Sequence, residues 1–153
     1  MANLTLSGYL ATAQTISWAS GTTFTSLTDN NHTSLSDEID NSTNKYAFAD
    51  IYIELGSAAF TGTDSGIEVY IVPSIDGTNY PTWTGNTTSD KQEHTIFFVG
   101  FVYTTASTAA QKMVLPRVQL YNGKFKFAFR NRGNVTLASS ANTAYWRPHS
   151  FAG

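Results

Sequence analysis

Residues 36–41, SDEIDN, place Asp37, Glu38 and Asp40 beside Ser36 and Asn41. Oxygen at that density suggests calcium chemistry. A calcium loop, however, needs six or more oxygens arranged around a turn-forming Gly, and no Gly is present. The cluster reads as a solvated turn leading into a strand. His32, His94 and His149 lie far apart, without the spacing of zinc ligands. Ser is abundant, but no nucleophile elbow frames a Ser-His-Asp constellation. No Gly-rich phosphate cradle occurs. The expectation is a protein without metal or cofactor, and not an enzyme.

Aromatic residues are the more distinctive chemistry. The stretch YIVPSIDGTNYPTW, residues 70–83, runs from a β-branched strand into a loop bearing Tyr80, Pro81 and Trp83. Such rings can stack on a sugar, anchor a protein interface, or fold back to plug their own domain.

The elements positioning these rings follow from hydrophobic period. No helical pattern persists, whereas two-residue alternation recurs. Over 46–55 it puts Ala47, Ala49, Ile51, Ile53 and Leu55 on one face. Tyr46, Phe48, Asp50, Tyr52 and Glu54 fall on the other. Ile67, Val69 and Ile71 open a second strand. Residues 76–93 are poor in strand formers, and loops of such length are usually functional or ordered by a partner. In HTIFFVGFVY, 94–103, both faces are apolar: Ile96, Phe98 and Val102 on one, Phe97, Val99, Phe101 and Tyr103 on the other. Such a strand must be covered on both sides, the second cover coming from another chain. TTASTAAQK, 104–112, reads as a loop or a short helical turn. RVQLY-NG-KFKFAF predicts a hairpin with a type I′ turn at Asn122 and Gly123, pairing Leu120 with Phe125 and Val118 with Phe127. VTLA and YWRPH are predicted as short strands, with a turn over 131–134.

Strands separated by turns, without intervening helices, predict an all-β, antiparallel, jelly-roll-like β-sandwich of a single domain. Residues 16–153 would form the sandwich, and residues 1–15 an arm or edge strand. The 153 residues suffice for one core. Charged residues make up only 13% of the chain, about half the usual share, with Thr, Ser and Asn in their place. A net charge of −2 argues against a nucleic-acid partner. The basic residues that do occur gather late, from Lys112 to Arg147. Cys is absent, so neither disulfides nor thiolate metal sites contribute. The start, MANLTLSGYLATAQ, lacks the basic and apolar regions of a secretory signal. No segment reaches membrane-spanning length, so the expectation is assembly in a cytoplasm with no membrane partner.

Three stretches, DEIDNSTNKYAFADIYIEL, EVYIVPSIDGTNYPTW and LPRVQLYNGKFKFAFRNRGNVTLASSANT, resemble small virion structural proteins of tailed bacteriophages. Some members of that group are capsid decoration, or cement, proteins with jelly-roll-like folds. The resemblance covers roughly residues 35–145 and carries no functional residue across. It implies a non-enzymatic protein on the capsid surface, bridging subunits of the major capsid protein and itself a homo-oligomer, dimer or trimer. Contacts are expected from Tyr46, Phe48, Tyr52, Tyr80, Trp83, Phe97 and Phe101. The alternative is a carbohydrate- or receptor-binding module of a phage tail or fibre, with Tyr80, Trp83, Tyr145 and Trp146 as stacking platforms.

Overall fold

The computed structural model describes residues 12–83, 85 and 96–149, together with the backbone of 5–6 and 151–152. The strands are β1 (Thr5–Leu6), β2 (Gln14–Thr15), β3 (Ile39–Asp40), β4 (Phe48–Leu55) and β5 (Gly66–Pro73). They continue with β6 (Phe98–Tyr103), β7 (Gln111–Gln119), β8 (Lys124–Arg132), β9 (Thr143–His149) and β10 (Phe151–Ala152). Among the described residues there is no helix. Two four-stranded sheets, ordered β2-β9-β4-β7 and β3-β8-β5-β6, face each other.

The pairings are nested. β5 pairs β6, β4 pairs β7, β3 pairs β8 and β2 pairs β9, all antiparallel. The chain is thus one long ribbon folded back at the β5–β6 connection and rolled, so that successive pairs fall in alternate sheets. Pairings β4·β9 and β5·β8 close each sheet. This is the jelly-roll arrangement expected from the strand pattern. β1 and β10 pair with each other beyond β2 and β9.

Alternation drives the burial. Ala49, Ile51, Ile53 and Leu55 of β4 face Ile67, Val69 and Ile71 of β5 and Phe125, Phe127 and Phe129 of β8 in one core, all with at most 1% exposure. Each fully buried ring contributes on the order of 1.5–3 kcal/mol.

The expected Asn122-Gly123 hairpin does not form. β7 and β8 belong to opposite sheets, and neither Asn122 nor Gly123 takes the positive φ that a type I′ turn requires. The Leu120 N–H donates to Ala47 O, holding that end to β4's approach, while Gly123 O accepts from the Asn41 N–H. Val118, Leu120, Phe125 and Phe127 are nevertheless all buried, because a shared hairpin face and two facing sheets bury the same alternating set. The buried Asn41 side chain fastens this corner. Its Nδ2 donates to the carbonyls of Tyr46 and Tyr121, and its Oδ1 accepts the Tyr46 N–H. Two crossings between the sheets, β3 to β4 and β7 to β8, are thereby tied together.

VTLA is not a strand. Leu137 is buried there, its N–H donating to Leu27 O. Segment 104–110 is a loop bridged to Phe60 through Ser107. Much of the connector predicted at 76–93 lies outside the described residues.

Candidate interaction surfaces

The outer face of the β2-β9-β4-β7 sheet is set by the same alternation that fills the core. Strand register aligns Thr15, Tyr145, Tyr52 and Val114 in one row across all four strands. Glu54 stands between Thr143 and Lys112 in the next row, with its carboxylate 2.9 Å from the Lys112 Nζ. On the other side Asp50 neighbours Arg147, and beyond it Phe48 lies between His149 and Gln119. Tyr52, Tyr145, Glu54, Arg147 and Ala13 line a shallow cavity of about 350 Å³. Phe48, Tyr52 and Tyr145 are half-buried and Val114 is exposed. Among the described residues no loop covers this row.

Polar groups at the margin of this face are fixed. A bulge lies opposite Asp50, between the pairings Ala49 with Val118 and Ile51 with Leu115. Asp50 Oδ1 accepts the Arg117 N–H at 2.8 Å and lies 3.5 Å from His149 Nε2. The Phe48 ring stacks on His149. Extra residues at a bulge disrupt the ladder, and here a carboxylate takes the freed donor.

The other sheet is extended along the β8 edge and covered on its outer face by its own chain. Residues 30–36 run beside β8: Thr33 N–H and Ser36 N–H donate to Phe129 O and Phe127 O, while their hydroxyl oxygens accept the return N–H groups of those two residues. Over them folds the aromatic loop. Trp83 donates from Nε1 to Thr33 O at 2.8 Å and packs edge-on against Tyr70 and His32. Tyr80 donates its hydroxyl to Glu38, with Lys126 Nζ 4.7 Å above its ring centroid. Beneath this roof, Glu68 reaches Arg130 and Arg132 at 3.5 Å each, and the Tyr70 hydroxyl donates to Glu68 at 2.6 Å. Burial, reinforced by that hydrogen bond, pushes the Tyr70 hydroxyl far above the ordinary tyrosine value. Breaking a buried pair of this kind is costly, so it fixes the roof's footing.

At the far edge of that sheet lies β6, which among the described residues has β5 as its one strand neighbour. A bulge between Val69 and Tyr70 shifts the register and overturns the expected division of its faces. Phe98 turns outward onto Tyr70, joining Phe101 and Tyr103, while Val99 packs inward with Val102. Tyr103 is 68% and Ile96 73% exposed. Ile96, Phe97, Phe98, Val99, Leu120 and Tyr121 border a groove of about 360 Å³ beside the edge.

The structure therefore distributes the expected contact residues. Phe48 and Tyr52 stand on the open sheet. Tyr46 does not share their face, because β4 begins only at Phe48 and the Tyr46 ring packs against Trp146 and the core. Tyr80 and Trp83 belong to the roof, and Phe97 and Phe101 to the β6 edge. All seven are half-buried. Of the stacking platform imagined for a sugar, Trp146 is in the core and Tyr145 lies on the open sheet, apart from Tyr80 and Trp83. Val114, Phe98 and Tyr103 are surface residues that the sequence reading did not select. Val114 follows from alternation along 111–119, but the outward turn of Phe98 depends on a bulge without a sequence mark.

The polar clusters hold themselves. Asp37 accepts from the Ser17 hydroxyl and the Ala19 N–H, which lower its pKa. Glu38 is lowered by Lys124 and then Tyr80, and Asp40 by Ser42. Asp37, Glu38 and Asp40 line a cavity of about 270 Å³ between β2 and β3, yet carboxyls shifted downward are the opposite of a general acid tuned toward neutrality. His32 and His149 lie on different sheets, and His94 is outside the described residues. No group of His, Asp and Glu able to hold a metal occurs among the described residues. Comparison with known proteins found no matching family model, no matching curated protein and no matching solved structure.

Proposed function

We propose that this chain is a non-enzymatic capsid decoration protein that clamps neighbouring coat subunits of a phage head. One observation carries the reading: the two sheets are finished differently. The outer face of the β3-β8-β5-β6 sheet is covered by the chain's own Tyr80 and Trp83, whereas among the described residues the β2-β9-β4-β7 sheet leaves Phe48, Tyr52 and Tyr145 half-exposed and Val114 exposed. Aromatic side chains on a rigid, continuous sheet are the anchors expected of a protein interface. The charges of the face stand in opposed couples, Glu54 beside Lys112 and Asp50 beside Arg147. A clamp works by multivalency: each copy touches several subunits, so parting them requires breaking several contacts together. The lowered carboxyls of the acidic cluster and the enclosed Glu68–Arg130 pair favour structural over catalytic roles. The assignment to a phage head rests on the resemblance of residues 35–145.

The test is binding of the purified chain to coat-protein shells lacking it. Saturable binding that raises the heat resistance of the shells is expected, and loss of that binding in Tyr52→Ala/Tyr145→Ala assayed at a temperature at which circular dichroism shows the variant folded. Shells that take up none of the protein, or the double variant binding as well as the parent, would refute the reading. A glycan array tests the alternative of a sugar-binding module, for which Tyr52 and Tyr145, adjacent across two strands, now replace the scattered platform first expected.

A further inference from the structure

We propose that β6 is a self-association edge, pairing antiparallel with β6 of a second copy about a two-fold axis at Phe101. The inference is independent of the capsid reading and rests on how the sheet edges are finished. A free strand edge is a template for pairing, and natural sheets blunt it with charge, Pro, bulges or brevity. β7 uses several of these devices: Lys112, Pro116 and the bulge at which Arg117 takes a φ of 55°. β2 and β3 are each two residues long, and β3 ends in Asp40. β6 has none. Its sequence is FVGFVY, and residues 95–111 contain no Asp, Glu, Lys or Arg.

The occupant follows from that absence of charge and from the hydrogen-bond parity of the strand. A two-fold contact places each residue opposite itself or its near neighbours, so a charged strand repels its own copy. β6 meets its copy without that penalty, while a partner recognised by complementary charge would find nothing on it to read. The Thr104 N–H donates to Ser65 O, and antiparallel bonding alternates along a strand. The backbone groups of Phe101 and Tyr103 therefore point away from β5, to the edge that no strand of the described residues pairs. An axis at Phe101 sets Phe101 opposite Phe101 of the copy as a hydrogen-bonded pair, and sets Gly100 opposite Val102. Phe101 is already packed edge-on against Tyr103 at 4.7 Å, so pairing would join two such couples into one aromatic row. Cross-strand aromatic pairs stabilise sheets. The result is a continuous eight-stranded sheet across two copies, with the exposed side chains of Phe98 and Tyr103 near its seam.

Sedimentation of the full chain over a concentration series tests this, with site-directed cross-linking. The chain has no Cys, so a single introduced thiol reports without background. Opposed residues of a hydrogen-bonded pair sit about 5.5 Å apart at Cα, within disulfide range. A concentration-dependent dimer is expected, with Phe101→Cys oxidising to covalent dimer far faster than the exposed control Ser57→Cys. Phe101→Lys should weaken the dimer at least about tenfold, a change of about 1.4 kcal/mol. Tyr103→Lys, at an exposed side chain, serves if Phe101→Lys does not fold. A monomer at every concentration, a trimer, a dimer indifferent to both lysine variants, or equal cross-linking at Phe101 and Ser57 would overturn the proposal. Capsid binding by a strictly monomeric chain would sink the pairing and leave the decoration reading standing.

Discussion

Trp83→Ala asks whether the aromatic loop is a roof or a contact surface. The ring's Nε1 donates to Thr33 O at 2.8 Å, and its faces meet Tyr70 at 5.4 Å and His32 at 5.7 Å between centroids. A neutral hydrogen bond is worth about 1 kcal/mol net, and each aromatic contact about 0.5–1.5 kcal/mol beyond area. Because the side chain is half-buried, the total should be about 3 kcal/mol, at the low end of the range for truncating a buried aromatic. For a chain of this size that lowers Tm by roughly 6–12 °C. Trp83→Phe keeps the ring and loses the donor, so it should cost about 1 kcal/mol. Thermal unfolding by near-ultraviolet circular dichroism reads both, and shell binding measured well below the lowered Tm should be retained. A Trp83→Ala chain with unchanged melting but abolished binding would show the ring to be a contact residue and would refute the roof.

Asn41→Ala removes three hydrogen bonds from the corner joining the sheets. It should destabilise by about 2–4 kcal/mol, read as a lower urea midpoint; a change under about 0.5 kcal/mol would sink the corner's role. Gly66→Ala should be worse tolerated than most surface changes, because an added Cβ would sit 2.0 Å from Val102 O and 2.6 Å from the Phe101 ring; soluble expression and Tm report it, and a neutral outcome would contradict the tight β5–β6 approach. Acid should weaken the fold through Asp37, Glu38 and Asp76, whose carboxyls are lowered by Ser17, by Lys124 and by the Asn79 N–H respectively. A lowered folded-state pKa gives stability that is present above the ordinary carboxylate range, near 4, and lost as pH falls through the depressed values. The urea midpoint should hold from neutrality to about pH 5 and drop below about pH 4, and a flat profile to pH 2 would refute this. In alkali the sign reverses, since burial and then Glu38 raise Tyr80, so stability should decline as pH climbs above 10, the ordinary tyrosine value.

Alternation made the core legible. Ala49 through Leu55, Ile67 through Ile71 and Phe125 through Phe129 are buried where a period of two puts them. Sheet membership was not legible, because hydrophobic pattern records which side of a strand faces inward and not which sheet it joins. Asn122 and Gly123 illustrate the limit: hairpin and sheet corner demand the same residues inside, and the distinction is made by Asn41, remote in sequence. The open sheet was half-legible through Phe48 and Tyr52, whose partner Tyr145 could be placed only once register was known. The division of β6 failed at a bulge, and the roof failed because a loop's own backbone and indole contacts leave no periodic signal.

The nested ribbon also sets an order of events. β5 and β6 meet at its turning point, while each further pair joins segments ever more distant along the chain, and β9 lies between β2 and β4. Zipping from the tip outward is the economical route, and the many remote pairings place the whole process on the slow side, about milliseconds to seconds. Until residues 143–149 arrive, the flank of β4 stands open to any passing strand, so a ribosome stalled just short of that segment would be holding this protein at its stickiest.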